Sequence, residues 1–459
     1  MGSRFKIIKQ KTKDFGFEKV IILMVFYISL YLIAIANQRP DNAEHFIGLS
    51  MYLLAPFLAF ILYLFNFKVQ ILKSKNLYLI ILIMLLTIVL SELIRGVSPY
   101  LIPQATAAIL LTLLLDSQIA LISNAFLILI ITVMFDLDLA LIFIGIVANS
   151  LGILIVFREK LRAKILLDGI YIGLISAVLY LSIYFIEARY ASDLILNLGY
   201  FFLSGVLASV IAIGTMPLWE SIFKILTPFK LLELINPDNK LLKELSIEAP
   251  GTYHHSLLVG NLCEAAAEKI GANRLLAKAG AYYHDIGKIK RPLYFKENQF
   301  GIENPHDKLE PIQSLEIILS HSVDGLKIGK ENKLPIEVID IIDQHHGKTL
   351  MSYFYYKAKE NNEMVPERKF RYKGNKPQTK EAALVMLADS VEAAVRSLNE
   401  VNDASIQKIV CNVIKSKLED KQLDEAPITN QVIRIITEVF VSEIKGIYHN
   451  RISYPKQQF

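Results

Sequence analysis

Seven of the nine histidines fall between positions 254 and 346: His254, His255, His284, His306, His321, His345 and His346. Asp285 follows His284 directly, and Asp389 stands alone on an Ala-rich stretch further on. Imidazoles and carboxylates gathered in this way form a donor set for divalent transition metals. One histidine is more often structural than a ligand, but five histidines and two aspartates at helix ends and on buried faces reverse that reading. The candidate ligands are His255, His284, Asp285, His321, His345, His346 and Asp389. Asp285 can offer one carboxylate oxygen to each of two metals. Six terminal ligands and this bridge make eight metal bonds, so two octahedral ions would each keep about two open positions for a bridging hydroxide and substrate oxygens. So many imidazoles argue for Fe or Mn over Mg, which prefers oxygen ligands. Such a pair suits in-line attack on phosphorus.

Helices must hold these residues. From Pro250 onward long Leu/Ile/Ala-rich segments are broken by Gly, Pro and Asn, and no run alternates as a strand does. A first helix opens at Gly251-Thr252, with Thr252 expected as its N-cap. Adjacent helical residues point about 100° apart, so His254 and His255 cannot share one role. His255 sits over Leu258, Val259, Leu262 and Ala266, whereas His254 shares its side with Asn261 and reads as a supporting or surface residue. His284 closes the small-residue helix Ala277–His284, His321 follows Ile317 and Ile318 on Ile312–His321, and His345 and His346 end Ile336–His346. The partial negative charge at that last terminus favours a cation. Asp389 lies among Ala382, Val385, Met386 and Ala393, an apolar face where an unpaired carboxylate would be costly. His306-Asp307 follows Asn304-Pro305 and reads as a loop-ordering pair. The excursion Lys357–Lys380 mixes Arg368, Lys369, Arg371, Lys373 and Lys376 with Phe370 and Tyr372. It suits a lid over an anionic, base-bearing substrate, or else a loop drawn to anionic lipid. Beyond Leu398, Val410, Ile414, Leu418, Ile436 and Phe440 form apolar stripes that read as core packing, with a homodimer face as the alternative.

The rest of the chain explains where this domain is held. Of 459 residues 53% are hydrophobic, and the excess lies almost wholly before Met216. The expected fold class is therefore all-α, a multi-span transmembrane domain followed by a water-soluble helical one. On the ruler of about 20 apolar residues per crossing, eight spans are expected: Val20–Ala36, Phe46–Phe65, Leu77–Ile94, Tyr100–Leu115, Ile119–Phe135, Leu139–Phe157, Ile165–Ile186 and Leu194–Met216. The fourth and fifth are short and joined by only Asp116-Ser-Gln118. Lys68, Lys73 and Lys75 make one loop basic, and Arg158, Lys160, Arg162 and Lys164 another. With the basic N-terminal residues 1–19, they place both termini inside. The partners implied are the bilayer and, for the soluble half, the cytoplasm. Glu92, Arg95, Asp116, Asp136 and Asp138 fall at span ends, which favours an anchor or sensor over a conduction pathway. Residues 217–249 read as a connector, with Leu218, Ile222, Ile225 and Leu226 at helical spacing and Pro228 and Pro237 as breaks; the soluble domain runs over 250–459. Only Cys263 and Cys411 are present, consistent with a reducing compartment, and a net charge of +5 implies no nucleic-acid polymer as partner.

The run His255, His284-Asp285, His321, His345-His346 and Asp389 resembles the HD phosphohydrolase superfamily in its dinuclear form. Pro250-Gly-Thr-Tyr-His-His-Ser256, His284-Asp-Ile-Gly-Lys288, Glu297-Asn-Gln299, Asn304-Pro-His-Asp307, Gln344-His-His-Gly347 and Leu387-Ala-Asp-Ser-Val-Glu-Ala393 are more closely similar to the membrane-bound cyclic di-AMP phosphodiesterases of the PgpH type. That resemblance implies hydrolysis of cyclic di-AMP to linear pApA. It also implies one metal on His255, His284, Asp285 and Asp389, a second on Asp285, His321, His345 and His346, and Lys288 facing the phosphates. Relatives carry a large extracellular domain between the first two spans, where this sequence has only Asn37 to His45. Alternatives are a phosphodiesterase for cyclic di-GMP or another nucleotide phosphate ester, and a membrane receptor that only binds nucleotide. The Gly-Tyr-Pro tripeptide typical of enzymes for cyclic di-GMP is absent, and none of the seven ligands is missing.

Overall fold

The computed structural model describes residues 17–157, 161–187, 193–299, 301–360, 366–398 and 400–448. The basic residues before position 17, the side chain of Lys73, Arg158 and Lys160 of the second basic loop, and residues 188–192 and 361–365 lie outside that description. Among the described residues the chain is helical, with one isolated antiparallel bridge between Leu350 and Arg371. It divides into two compact units, Met1–Phe229 and Lys230–Phe459.

The first unit consists of apolar helices α1 (Phe17–Gln38), α2 (Ala43–Phe67), α3 (Asn76–Arg95), α4 (Ala105–Leu114), α5 (Ser117–Met134), α6 (Ala140–Val156), α7 (Arg162–Ile186) and α8 (Leu194–Phe223). Six are long and apolar enough to cross a membrane; α4 and α6 are shorter. At 1.5 Å per residue α4 covers roughly half of a hydrocarbon core of about 30 Å, so the expected fourth span is a half-length helix. It is buried on nearly every side, as an all-round apolar helix must be when neighbours rather than lipid enclose it. Asp116 separates it from α5 by capping that helix through Ile119 N at 2.9 Å while pairing with Lys68 at 2.9 Å. α7 and α8 approach through glycines: a Cβ on Gly173 would lie 2.3 Å from the Phe202 carbonyl, and one on Gly205 would lie 2.4 Å from Gly173 N.

α8 runs past the expected end of the last span to Phe223 and stops where Lys224 takes a left-handed φ of 54°. Leu218 and Ile222 are exposed on it, while Glu220 is buried, paired with Arg162 at 2.9 Å and bonded by the Thr227 hydroxyl. Leu218 and Ile222 of the expected connector stripe therefore face outward while Ile225 packs on the core, and a carboxylate faces in. Pro228 starts α9 (Pro228–Leu234) instead of ending a helix. A proline at the first helical position lacks only an N–H that has no intrahelical partner there.

The second unit is built on α10 (Lys240–Glu248), α11 (Pro250–Ile270), α12 (Arg274–Tyr283), α13 (Pro311–Glu331), α14 (Ile336–Gln344), α15 (Ser352–Glu360), α16 (Lys380–Arg396), α17 (Asp403–Glu419) and α18 (Asn430–Tyr448). Its core joins Val259, Leu262, Ala266, Leu384, Leu387, Ile436 and Phe440, with α16 at the centre. Val410, Ile414, Ile436 and Phe440 are interior, whereas Leu418 is exposed. Two expected boundaries shift. α11 starts at Pro250, so Thr252 is not its N-cap: the hydroxyl is buried, donating to Glu297 Oε1 at 3.2 Å and accepting from Asn298 Nδ2 at 2.9 Å. α13 continues ten residues beyond His321, to Glu331, placing that ligand mid-helix.

Candidate metal centre

The donor atoms fall into two groups: His255, His284, Asp285 and Asp389, and Asp285, His321, His345 and His346. Within each group they lie within 4.8 Å of one another, and both groups contain Asp285. The helices set this up simply. α11 brings His255, the C-cap positions of α12 and α14 bring His284 and His345, α13 brings His321, and α16 brings Asp389.

Three histidines are held the same way. Nδ1 of His284 donates to the Ala281 carbonyl at 2.6 Å, that of His321 to Ile318 at 2.5 Å, and that of His345 to Ile342 at 2.8 Å. Each bond runs three residues back along the helix, fixing the tautomer and leaving the Nε2 lone pair for the centre. These lone pairs converge: His321 Nε2 lies 3.4 Å from His345 Nε2 and 3.2 Å from His346 Nε2. His284 Nε2 and Asp285 Oδ1 are buried without a hydrogen-bond partner among the described residues, although Asp285 Oδ2 is 3.2 Å from the former and His321 Nε2 3.3 Å from the latter. Buried polar atoms are seldom left unsatisfied. Converging acceptors and an orphaned carboxylate oxygen fit cations at both positions.

Charge is distributed unevenly. Burial opposes the imidazolium of His284, but the adjacent Asp285 prevails and lifts its pKa to about 10. Burial also opposes charge on Asp285, yet His284 and Lys288 hold its carboxyl well below the usual range. Burial and the His284 charge push His345 down to about 3, and burial with His345 beside it holds His346 well below the usual imidazole range. A metal on the His284 side must displace a proton, because only the neutral imidazole ligates.

Around the ligands stands a shell that the sequence reading missed. Glu392 pairs with Nδ1 of His255, while His255 Nε2 meets Asp389 Oδ1 at 3.1 Å. Arg396 lies 3.6 Å from Glu392 and 4.0 Å from Glu297. The available signal was spacing: Glu392 follows Asp389 by three residues, so a helix puts both on one face. Lys288 Nζ sits between Asp285 Oδ2 and Glu297 Oε1, at 2.7 Å from each, so it is engaged by carboxylates instead of free toward a phosphate. Tyr372 stacks on His346 with ring centroids 4.1 Å apart. Within the same excursion Phe370 is fully buried beside Leu315 and Phe354, and Arg371 is bonded to Glu367, Asp420 and the Lys348 carbonyl, so of these three neighbours Tyr372 is the one that reaches the ligands. His306 stays outside the centre and bonds the Tyr294 carbonyl at 2.9 Å. His254 is exposed. His254→Ala is therefore expected to keep activity within about a factor of two, the ordinary scale of a surface substitution, whereas loss equal to that of His255→Ala would displace His255 as the first-helix ligand.

Residues 44–227 match the family described as 7TM receptor with intracellular HD hydrolase, and residues 252–394 match the HD domain. The N-terminal part of the chain thus resembles the 7TM part of that family and the C-terminal part resembles an HD domain. The chain is a multi-pass membrane protein with a divalent-metal HD domain. Seven of the apolar helices, α2 to α8, lie in the residues of the 7TM match, and α1 precedes it. Relatives include the cyclic-di-AMP phosphodiesterase PgpH of Bacillus subtilis, 42% identical over 91% of this chain and 61% of the relative. PgpH of Listeria monocytogenes is 41% identical over 94% of this chain and 61% of the relative. The chain thus spans about three fifths of the length of these relatives. A crystal structure of the L. monocytogenes PgpH HD domain in complex with cyclic-di-AMP is 54% identical and matches with a TM-score of 0.46, covering 46% of this chain and all of that one.

The pairing of Glu392 with Nδ1 of His255 fixes the imidazole of a candidate ligand. Glu392→Gln is expected to weaken metal binding by about 10–100-fold, the usual effect of removing such a partner. Competition with a chromogenic chelator reads this directly. Affinity within twofold of the wild type would show that His255 is oriented by α11 packing alone.

Proposed function

We propose that this chain is a membrane-tethered phosphodiesterase that hydrolyses cyclic di-AMP to linear pApA, with its HD domain in the cytoplasm. The observation that carries the reading is the pair of four-ligand groups sharing Asp285. The names of the relatives support the substrate, and the basic loops at Lys68 and Lys164 support the orientation.

His255, His284, Asp285 and Asp389 would hold one ion and Asp285, His321, His345 and His346 the other, with Fe or Mn favoured by five imidazoles. Two such ions supply Lewis acidity toward phosphate oxygens and acidify water for in-line attack. The side chains do the positioning. The bonds to the Ala281, Ile318 and Ile342 carbonyls keep three Nε2 atoms aimed inward. Lys288 acts through Asp285, holding its carboxylate in place from one side while Glu297 holds the lysine from the other. Chelation is expected to abolish activity, and Mn or Fe to restore it better than Mg.

The direct test incubates the detergent-solubilised chain and Mn with cyclic di-AMP and, separately, cyclic di-GMP, and separates the products by chromatography. Linear pApA from the first, with little turnover of the second, is expected. Consumption of cyclic di-GMP alone would overturn the substrate assignment. Binding of cyclic di-AMP without turnover in metal-loaded protein would favour a receptor.

A further inference from the structure

The buried face of α17 comprises Ile406, Val410, Ile414 and Lys417. Three members are aliphatic and the fourth carries an ammonium, only 8% exposed. Its Nζ donates to Thr349 Oγ1 at 2.9 Å. It forms no ion pair within 4.0 Å among the described residues. Removing a cation from water costs several kcal/mol unless an anion compensates. Part of that is offset by the C-terminal end of α17, which Lys417 approaches, and part by the Thr349 hydroxyl.

Its position is informative. Thr349 lies three residues beyond His346, and its carbonyl accepts from Tyr372 N at 3.1 Å. Tyr372 in turn stacks on His346 and meets His321 edge-on. Gln422, just past α17, accepts from Lys348 N at 2.8 Å. The end of α17 is thus fastened to the wall of the centre on its His346 side. Lys288, the cation on the Asp285 side, is already matched by two carboxylates. Burial lowers the Lys417 pKa to about 8 while Asp389 and Asp420 hold it up, so the charged form still prevails at pH 7.

We infer that Lys417 and Thr349 together receive a phosphate of the nucleotide substrate, as an ammonium and a hydroxyl placed beside the His346 ligand. This rests on the phosphodiester reading above. A cyclic dinucleotide carries two phosphodiester charges, and the metal groups account for the scissile one; a buried ammonium with no ion pair within 4.0 Å among the described residues suits another phosphate oxygen.

Lys417→Met tests the inference with the metal-reconstituted full chain. KM for cyclic di-AMP is expected to rise about tenfold or more, the equivalent of one charge-assisted hydrogen bond. Calorimetric affinity for cyclic di-AMP in chelated protein should fall by a similar factor. Metal content and melting temperature should stay at or above those of the wild type, and Lys417→Arg should recover part of the affinity. A purely structural lysine predicts the opposite pattern: a lower melting temperature with KM and affinity unchanged, which would overturn the inference. Should Lys417→Met fail to fold, Lys417→Gln and Thr349→Val carry the same two outcomes. A wild-type chain that leaves cyclic di-AMP intact defeats the functional reading instead. A wild type that hydrolyses it beside a variant of equal KM and affinity defeats only this inference.

Discussion

Asp285→Ala is expected to eliminate phosphodiester hydrolysis and metal loading together, a larger effect than removal of any one histidine. Its Oδ1 lies 3.3 Å from His321 Nε2 and 3.8 Å from His345 Nε2, while Oδ2 lies 3.2 Å from His284 Nε2 and 3.7 Å from His255 Nε2. One side chain thus serves both donor groups, and alanine leaves three histidines in one and two histidines with an aspartate in the other. It also strands Lys288, which loses a carboxylate at 2.7 Å and keeps only Glu297. Metal activation is worth several kcal/mol of barrier, which corresponds to about three orders of magnitude in rate or more. His321→Ala touches one group and should retain the ion held by His255, His284 and Asp389. Specific activity and metal content measured on both variants separate the cases. An Asp285→Ala protein that kept one full equivalent of metal would show that Asp285 is an ordinary terminal ligand.

Gly287→Ala should unfold the site from behind. A Cβ at this position would lie 1.9 Å from the His321 carbonyl oxygen and 2.5 Å from Gly325 N, both of them backbone atoms. Glycine is required here because the turn after Asp285 runs directly against α13, and no side-chain rotation can relieve the overlap. The chain must move by an ångström or more, carrying His321 away from Asp285. Overpacking of this kind costs about 3 kcal/mol, and for a unit of this size that lowers the melting temperature by about 6–12 °C. Loss of metal should accompany the thermal shift. A melting temperature within about two degrees of the wild type, with full metal content, would show that the approach of α13 is looser than these contacts imply.

What the sequence disclosed and what it hid divide along physical lines. Histidines and aspartates announce themselves by type, and helical spacing alone distinguished buried His255 from exposed His254. That Asp285 could serve two cations followed from its two carboxylate oxygens, but the division of the other ligands into two groups around it was implied only by the resemblance. Supporting contacts were hidden because they depend on tertiary approach. Nothing local in Lys288 reveals that Glu297 lies nine positions away and within 2.7 Å. Thr252 has the chemistry of an N-cap, but Pro250 takes the first helical position and the hydroxyl is drawn to Glu297 and Asn298. Composition could not sort the charged excursion residue by residue: Phe370 fills an apolar pocket and Arg371 is held by Glu367 and Asp420, while Tyr372 beside them stacks on His346. In the membrane unit, hydropathy located the apolar helices but could not separate the half-length α4, enclosed by neighbours, from a full crossing.

Elemental analysis of the purified, active chain tests the dinuclear centre most directly. Two Fe or Mn ions per chain, both lost in Asp285→Ala, are expected from two donor groups with Asp285 in common. One ion per chain in fully active protein would contradict it.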